Sequence, residues 1–188
     1  MPQTPPVSLS ATVISVFGSS RIAAESAAYS QARELGAALA QAGFAVATGG
    51  YSGAMAAVSQ GAAEAGGRVL GVVARALPGK PNRWVQEEIT VETWDQRLFR
   101  LIALGEGYVA CPGGTGTLVE LAVAWEMMSK GLLPRRPLVA LGEYWRPIVE
   151  PIEAAEKNTR GFVSLAESAP AAVAVFQARF QGKRSLGR

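Results

Sequence analysis

The sequence predicts a single α/β domain built on a doubly wound, mostly parallel sheet with helices on both faces. Short β-branched or apolar runs alternate with longer segments of helical period over residues 11–73, and strand, helix, strand joined by short loops is the pattern of parallel βαβ units. Glycine-containing turns at Gly18, at Gly49–Gly53 and at Gly113–Gly116 each follow a strand. In a doubly wound sheet all three gather beyond the strand carboxyl ends, where such folds hold their ligands. A length of 188 residues, 49% of them hydrophobic and 18% charged, suits one domain with a sizeable core. The domain is expected over residues 11–181, with an N-terminal tail at 1–10 and a basic C-terminal tail at 182–188.

The elements follow in order. Residues 11–17, ATVISVF, are the first strand, and the turn Gly18-Ser19-Ser20-Arg21 behind it offers amides, two hydroxyls and a cation. Residues 24–42 form a helix with Ala28, Ala32, Leu35 and Leu39 on one face, stopped by Gly43. Residues 44–47 are a second strand, leading into Thr48-Gly49-Gly50-Tyr51-Ser52-Gly53; a helix over 54–65 then turns Met55, Val58 and Ala62 to the sheet. A third strand occupies 68–73. Residues 75–84, with two prolines, a glycine and three cations, make a surface loop, and 89–91 a short fourth strand. Over residues 94–103 the spacing packs Trp94, Leu98, Leu101 and Ile102 inward and leaves Asp95, Gln96, Arg97 and Arg100 on the polar side. Residues 107–110 form a buried strand, ended by Pro112, and 118–128 an apolar helix. A strand at 138–141, a helix at 144–155 kinked or broken by Pro151, a strand at 162–165 and a helix at 170–180 with Pro170 in its first turn complete the chain.

The residues that are missing narrow the chemistry. With no histidine, the chain supplies no Ser-His-Asp triad, Cys-His pair or imidazole metal ligand. A single cysteine, Cys111, excludes an internal disulfide, and a single aspartate, Asp95, excludes a multi-aspartate magnesium site. No metal and no cofactor are expected, and acid–base work falls mainly to glutamate, arginine, lysine or tyrosine. The net charge of +3 lies in the last seven residues, with Lys183, Arg184 and Arg188, so the rest of the chain is balanced. Neither a nucleic-acid nor a membrane partner is expected from it. The start of the chain has no secretion-signal pattern and no apolar run reaches the length of a membrane span, which makes the cytoplasm the expected compartment.

The stretch CPGGTGTLVE, Cys111 to Glu120, concentrates the functional signal. Gly113, Gly114 and Gly116 leave the backbone bare, and the first amides of the helix, near Thr115 to Thr117, point into the turn where the helix dipole favours an anion such as phosphate. One turn on, Glu120 shares a side with Thr117. The same residues also match a capping box in which Glu120 only satisfies a free amide. A standard dinucleotide site is not supported: the residue three after Gly116 is Val119, and no acid follows the second strand. A GxxxxGK[ST] loop is absent.

The run Pro112-Gly113-Gly114-Thr115-Gly116-Thr117-Leu118-Val119-Glu120 matches PGGxGTxxE. Together with Val16 to Ser20, with Thr48-Gly49-Gly50, Gly53 and Met55, with Ala65-Gly66-Gly67 and with Trp125, it resembles the LOG-like family, named for the "lonely guy" cytokinin-activating enzymes. The resemblance covers most of residues 12–145. It implies a Rossmann-like homodimer or dimer-based oligomer that binds a nucleoside 5′-monophosphate and hydrolyses its N-glycosidic bond to free base and ribose 5-phosphate. It also implies that Arg97 and Glu120 are catalytic, and that the phosphate or nucleotide is bound by Gly18, Ser19, Ser20, Gly49, Gly50, Gly113, Gly114, Thr115, Gly116 and Thr117. Without the resemblance, Arg97 reads as a helix-surface cation paired with Glu126 or another acid. The family carries Met-His-x-Arg-Lys where this chain has Trp94-Asp95-Gln96-Arg97-Leu98, and TGGYSGAM stands where cytokinin-type members have GGxxGLMG. These departures weaken cytokinin nucleotides as the substrate relative to AMP or another purine nucleotide. They also keep open a phosphate-ligand binding protein without catalysis, since molybdenum cofactor carriers resemble the family in fold. Lysine decarboxylation finds no support, because none of Lys80, Lys130, Lys157 and Lys183 sits in a recognisable Schiff-base setting.

Overall fold

A computed structural model describes residues 11–184. Among the described residues seven strands pair in parallel: β1 (Val13–Phe17), β2 (Ala45–Thr48), β3 (Val69–Ala74), β4 (Glu87–Val91), β5 (Gly107–Ala110), β6 (Leu138–Leu141) and β7 (Val163–Ala166). Their order across the sheet is β4-β3-β2-β1-β5-β6-β7. The chain winds outward from β1 to β4, returns to the middle, and winds outward again from β5. The reversal lies between β1 and β5, which pair from Ile14↔Gly107 to Phe17↔Ala110. Both carboxyl ends beside it carry glycine turns, as a doubly wound sheet requires of a ligand site.

The period of two along each strand divides the core. Ile14, Val16, Val46, Val109 and Val139 point to one face, where they pack on α1 (Ala27–Gln41), α2 (Ala54–Glu64) and α6 (Ala169–Arg184) through Leu35, Leu39, Val58 and Phe176. Phe17, Ala47, Val72, Tyr108 and Ala140 point to the other. There they meet α3 (Trp94–Leu104), α4 (Thr115–Ser129) and α5 (Arg146–Ala155) through Leu98, Leu101, Leu121, Trp125 and Val149. The central strands are covered on both sides, which is why they read as continuous apolar runs.

Several boundaries differ from the sequence expectation for identifiable reasons. Helix α1 starts at Ala27 rather than residue 24, because Ser26 caps it by accepting from the Tyr29 N–H. Ala28, expected on its inner face, is exposed. Strand β4 includes Glu87 and Glu88, whose exposed side chains hide an edge strand from an apolar pattern. A 3₁₀ turn over Glu143–Trp145 precedes α5, and Pro151 neither breaks nor ends that helix. Pro151 and Pro147, whose carbonyl loses the bond, are both exposed, so water can take the freed acceptor. Helix α6 extends to Arg184, so residues 182–184 of the expected tail continue the helix. Residues 1–10 and 185–188 lie outside the described residues.

The two ends of α3 are fixed by side chains, and this element aims the site. At its start, Thr93 and Gln96 form a capping box. At its end the Ser15 hydroxyl donates to the Leu101 carbonyl at 2.7 Å and the Tyr108 hydroxyl donates to the Ile102 carbonyl at 2.8 Å. Arg136 adds a bond to the Gly105 carbonyl. Gly105, the C-cap, is extended rather than left-handed, and carbonyls of the last turn of α3 are instead satisfied from β1 and β5, with the arginine serving the cap residue.

Candidate active site

The turn after β5 is held rigid before α4 begins. Trp145 donates its indole N–H to the Cys111 carbonyl at 3.1 Å, and Tyr144 donates its hydroxyl to the Gly113 carbonyl at 2.8 Å. The two rings pack edge to face with centroids 4.9 Å apart. Helix α4 then starts at Thr115, three residues earlier than the apolar pattern suggests. Its first i to i−4 bond runs from the Leu118 N–H to the Gly114 carbonyl, and no side chain caps the start. The amides of Thr115, Gly116 and Thr117 therefore remain without helical acceptors at the positive end of the dipole.

This start excludes the capping-box reading of Thr117 and Glu120. With Gly114 as the N-cap, Glu120 is a full turn inside the helix and its carboxylate caps nothing. The capping box in this region belongs to α3.

The turns after β1 and β2 are bonded to each other. The Ala54 N–H donates to the Ser19 carbonyl at 2.8 Å, and the Ser52 hydroxyl to the Ser20 carbonyl at 3.0 Å. Gly53, at φ +64°, allows this approach: a Cβ there would run into the Ser19 and Ser20 backbone. Asn82, from the loop before β4, donates its side-chain amide to the carbonyls of Gly50 and Tyr51 at 2.9 and 3.0 Å, which fixes the second turn in place.

Arg97 is buried, at 6% exposure, and not on the polar side of α3. Its Nε donates to the Val72 carbonyl at 3.0 Å, Nη2 lies 3.5 Å from the Met55 sulfur, and the guanidinium carbon stands 5.4 Å from the Tyr51 ring centroid. Nη1 faces the Glu120 carboxylate at 3.7 Å. Glu126, the alternative partner, pairs instead with Lys130. Glu120 is 9% exposed and accepts no hydrogen bond among the described residues. Burial pushes its carboxyl up to about 7, and the Arg97 charge only partly opposes that. A carboxyl poised near neutrality beside a fixed cation is suited to proton transfer and to stabilising positive charge.

These groups line a cleft of about 550 Å³ with Gly18, Ser19, Ser20, Gly114, Thr115, Gly116 and Thr117. Of the remaining expected site residues, Gly113 turns its carbonyl to Tyr144. Gly49 and Gly50 lie outside the lining: a Cβ on Gly49 would overlap the Arg97 guanidinium, and Gly50, at φ +78°, packs on Val73 and Gly71. Of the two, Gly49 makes room for the arginine. Arg21, Tyr51, Ser52, Met55, Leu77, Pro78, Trp94 and Leu98 complete the cleft. Trp94, expected to pack inward, is 44% exposed. The loop residues among these have no period to betray them, and only the neighbouring glycine turns marked the region. Among the described residues no cluster of His, Cys, Asp and Glu is arranged to hold a metal, and no helix is long and apolar enough to cross a membrane.

Comparison with known proteins agrees with this architecture. The chain is 31% identical over 123 residues to a cytokinin riboside 5′-monophosphate phosphoribohydrolase of Rhodococcoides fascians, a match covering 62% of this chain and 60% of that protein. The chain thus spans about three fifths of that relative's length. In fold it is similar to the molybdenum cofactor binding protein of Rippkaea orientalis, with a TM-score of 0.76, 23% identity, and coverage of 92% and 99% of the two chains. The molybdenum cofactor carrier protein of Chlamydomonas reinhardtii gives 0.74 and 25% over 91% and 99%. The sequence profile of the SLOG cluster4 family matches residues 11–170, and the chain belongs to that LOG-like family.

Proposed function

We propose that the cleft hydrolyses the N-glycosidic bond of a nucleoside 5′-monophosphate, AMP or a related purine nucleotide, to free base and ribose 5-phosphate. The observation that carries this reading is the buried Arg97–Glu120 pair, 3.7 Å apart, on the wall of the cleft that Thr115 to Thr117, the uncapped first turn of α4, also line. The 5′-phosphate binds those amides, with Ser19, Ser20 and Arg21 across the cleft. Side chains on a helix tilt toward its N-terminus, so Glu120 reaches back toward the level of the bound phosphate and faces the sugar. As the bond from C1′ to the base nitrogen breaks, its electron pair leaves with the base and positive charge builds on the ribose. Ionised Glu120 stabilises that charge and takes a proton from the water whose oxygen bonds to C1′; the proton then passes to the departing base. Arg97, already held by Val72 and Met55, orients Glu120 and keeps enough of it ionised near pH 7. The relative in Rhodococcoides fascians supports the reading by its named activity.

Ribose 5-phosphate release from a panel of purified nucleoside monophosphates, starting with AMP, tests it. Turnover of at least one nucleotide by the wild type is expected, and absence of release from all of them excludes hydrolysis.

A second reading, a carrier that holds a phosphate-bearing ligand without cleaving it, is favoured by one observation. The chain matches the Chlamydomonas reinhardtii carrier over nearly the whole of both chains at 25% identity. Binding of phosphate-bearing ligands without turnover is its signature.

A further inference from the structure

The indole ring is a large apolar surface with one polar handle, and proteins ordinarily give both a partner. Three of the four tryptophans have at least one such partner. Trp84 is covered by the Arg83 guanidinium at 4.5 Å, Trp125 donates to the Thr159 carbonyl at 3.2 Å, and Trp145 donates to the Cys111 carbonyl at 3.1 Å. The Trp94 indole makes no hydrogen bond, ring contact or cation contact among the described residues, and 44% of the residue is exposed.

Its place is not that of a stray surface ring. Trp94 is the first residue of α3, and Arg97 and Leu98 follow at the three- and four-residue spacing that puts them on the same side. It lines the cleft together with Leu77, Pro78, Arg97 and Glu120. The capping box at Thr93 and Gln96 fixes the turn that carries it, and Ser15 and Tyr108 fix the far end of the same helix. A rigidly mounted, unpartnered indole on the wall of a cleft is a surface prepared for another flat ring.

We propose that Trp94 selects the ligand, by stacking on a planar fused-ring nitrogen heterocycle whose phosphate is held at the first amides of α4. This rests on the reading above only in placing a phosphate-bearing ligand in the cleft; it does not require that the ligand be cleaved. Purines and pterins share the necessary chemistry, two fused flat rings with a large polarisable face. A single ring offers less overlap and a bare sugar phosphate none. The preference therefore runs from fused ring to single ring to sugar phosphate.

The test titrates the full chain carrying Glu120→Gln, which blocks turnover, with AMP, a phosphorylated pterin, UMP and ribose 5-phosphate. Calorimetry and tryptophan fluorescence are the readouts, and the titrations are repeated with Trp94→Leu and Trp94→Phe added. AMP or the phosphorylated pterin should bind about tenfold or more tightly than ribose 5-phosphate and quench fluorescence, in line with base–aromatic stacking elsewhere; which of the two binds more tightly identifies the source of the ring. Trp94→Leu should weaken that ligand about tenfold, leave ribose 5-phosphate within about twofold and abolish most of the quenching, and Trp94→Phe should recover most of the affinity. Equal affinity for AMP, pterin and ribose 5-phosphate, or a Trp94→Leu effect that is nil or the same for every ligand, overturns the proposal. Trp94-dependent binding without ribose 5-phosphate release by the wild type keeps this inference and removes the hydrolase reading. Release whose KM is untouched by Trp94→Leu does the reverse.

Discussion

At Glu120 burial and charge oppose each other, and the balance sets both chemistry and stability. Its folded pKa is raised to about 7 from an ordinary 4.5. Below pH 4.5 the carboxyl is neutral in the folded and unfolded chains alike. Between 4.5 and about 7 the folded chain holds a proton that the unfolded chain has lost, so stability falls as pH rises through that window and stays at the lower level above it. The change is on the order of 3 kcal/mol. Glu120→Gln removes it: relative to its standing at pH 4, the variant should gain about that much over wild type by pH 8, measured by urea unfolding at both values. Equal pH dependence of the two proteins would mean that the Glu120 carboxyl is not buried as described. The same titration should appear in catalysis, as a kcat/KM that rises with pH to a plateau above about 7 if the ionised form does the work. None of this was legible from residue type. Glu120 was marked by its spacing from Thr117, whereas Arg97 fell on the polar side of a helical pattern because a period cannot distinguish a solvent-facing cation from one drawn into a strand-end pocket by the Val72 carbonyl.

Elements place these residues through their ends, and ends were the least legible part of the chain. The apolar stretch of α4 suggested a start at residue 118, yet its first turn is Thr115, Gly116 and Thr117, polar or side-chain-free residues that a hydrophobic pattern passes over. That turn is the one proposed above to hold the phosphate. Its geometry depends on α5's lead-in, where Tyr144 and Trp145 hold the carbonyls of Gly113 and Cys111. Nothing in the sequence linked residues 31 and 34 positions apart. Tyr144→Phe deletes one exposed hydrogen bond and should cost about 1 kcal/mol or less in unfolding free energy. Its larger effect should be functional, a severalfold weaker affinity for AMP or inorganic phosphate by calorimetry, since the loosened Gly113 turn presents its amides less well. Unchanged affinity would show that the turn is rigid without the tyrosine.

For the molecule as a whole, winding was legible and one surface was not. Five strand-forming runs, at β1, β2, β3, β5 and β6, are buried on both faces and announce themselves; the glycine turns mark one edge of the sheet, and the strand order then places the reversal between β1 and β5. The exposed edge β4 does not announce itself, because three of its five residues face water. On the α3–α4 side, Phe99 and Leu132 are 50% and 72% exposed, and Val119, Val123 and Met127 of α4 are half-buried. We propose that a second copy of the chain covers this apolar surface, as the LOG-like resemblance implies. Light scattering should return a dimer mass, and Phe99→Glu should shift it toward the monomer without lowering the unfolding temperature of the protomer; a monomeric wild type at micromolar concentration contradicts that proposal. Hydrolysis in the cleft is tested with one variant and one nucleotide. On the same Glu120→Gln sample, AMP binding and ribose 5-phosphate release are measured against wild type. Affinity should stay within about threefold of wild type and release should fall by about 100-fold or more, the range expected when a group acting mainly in the transition state is removed. Release at the wild-type rate would contradict the role proposed for Glu120.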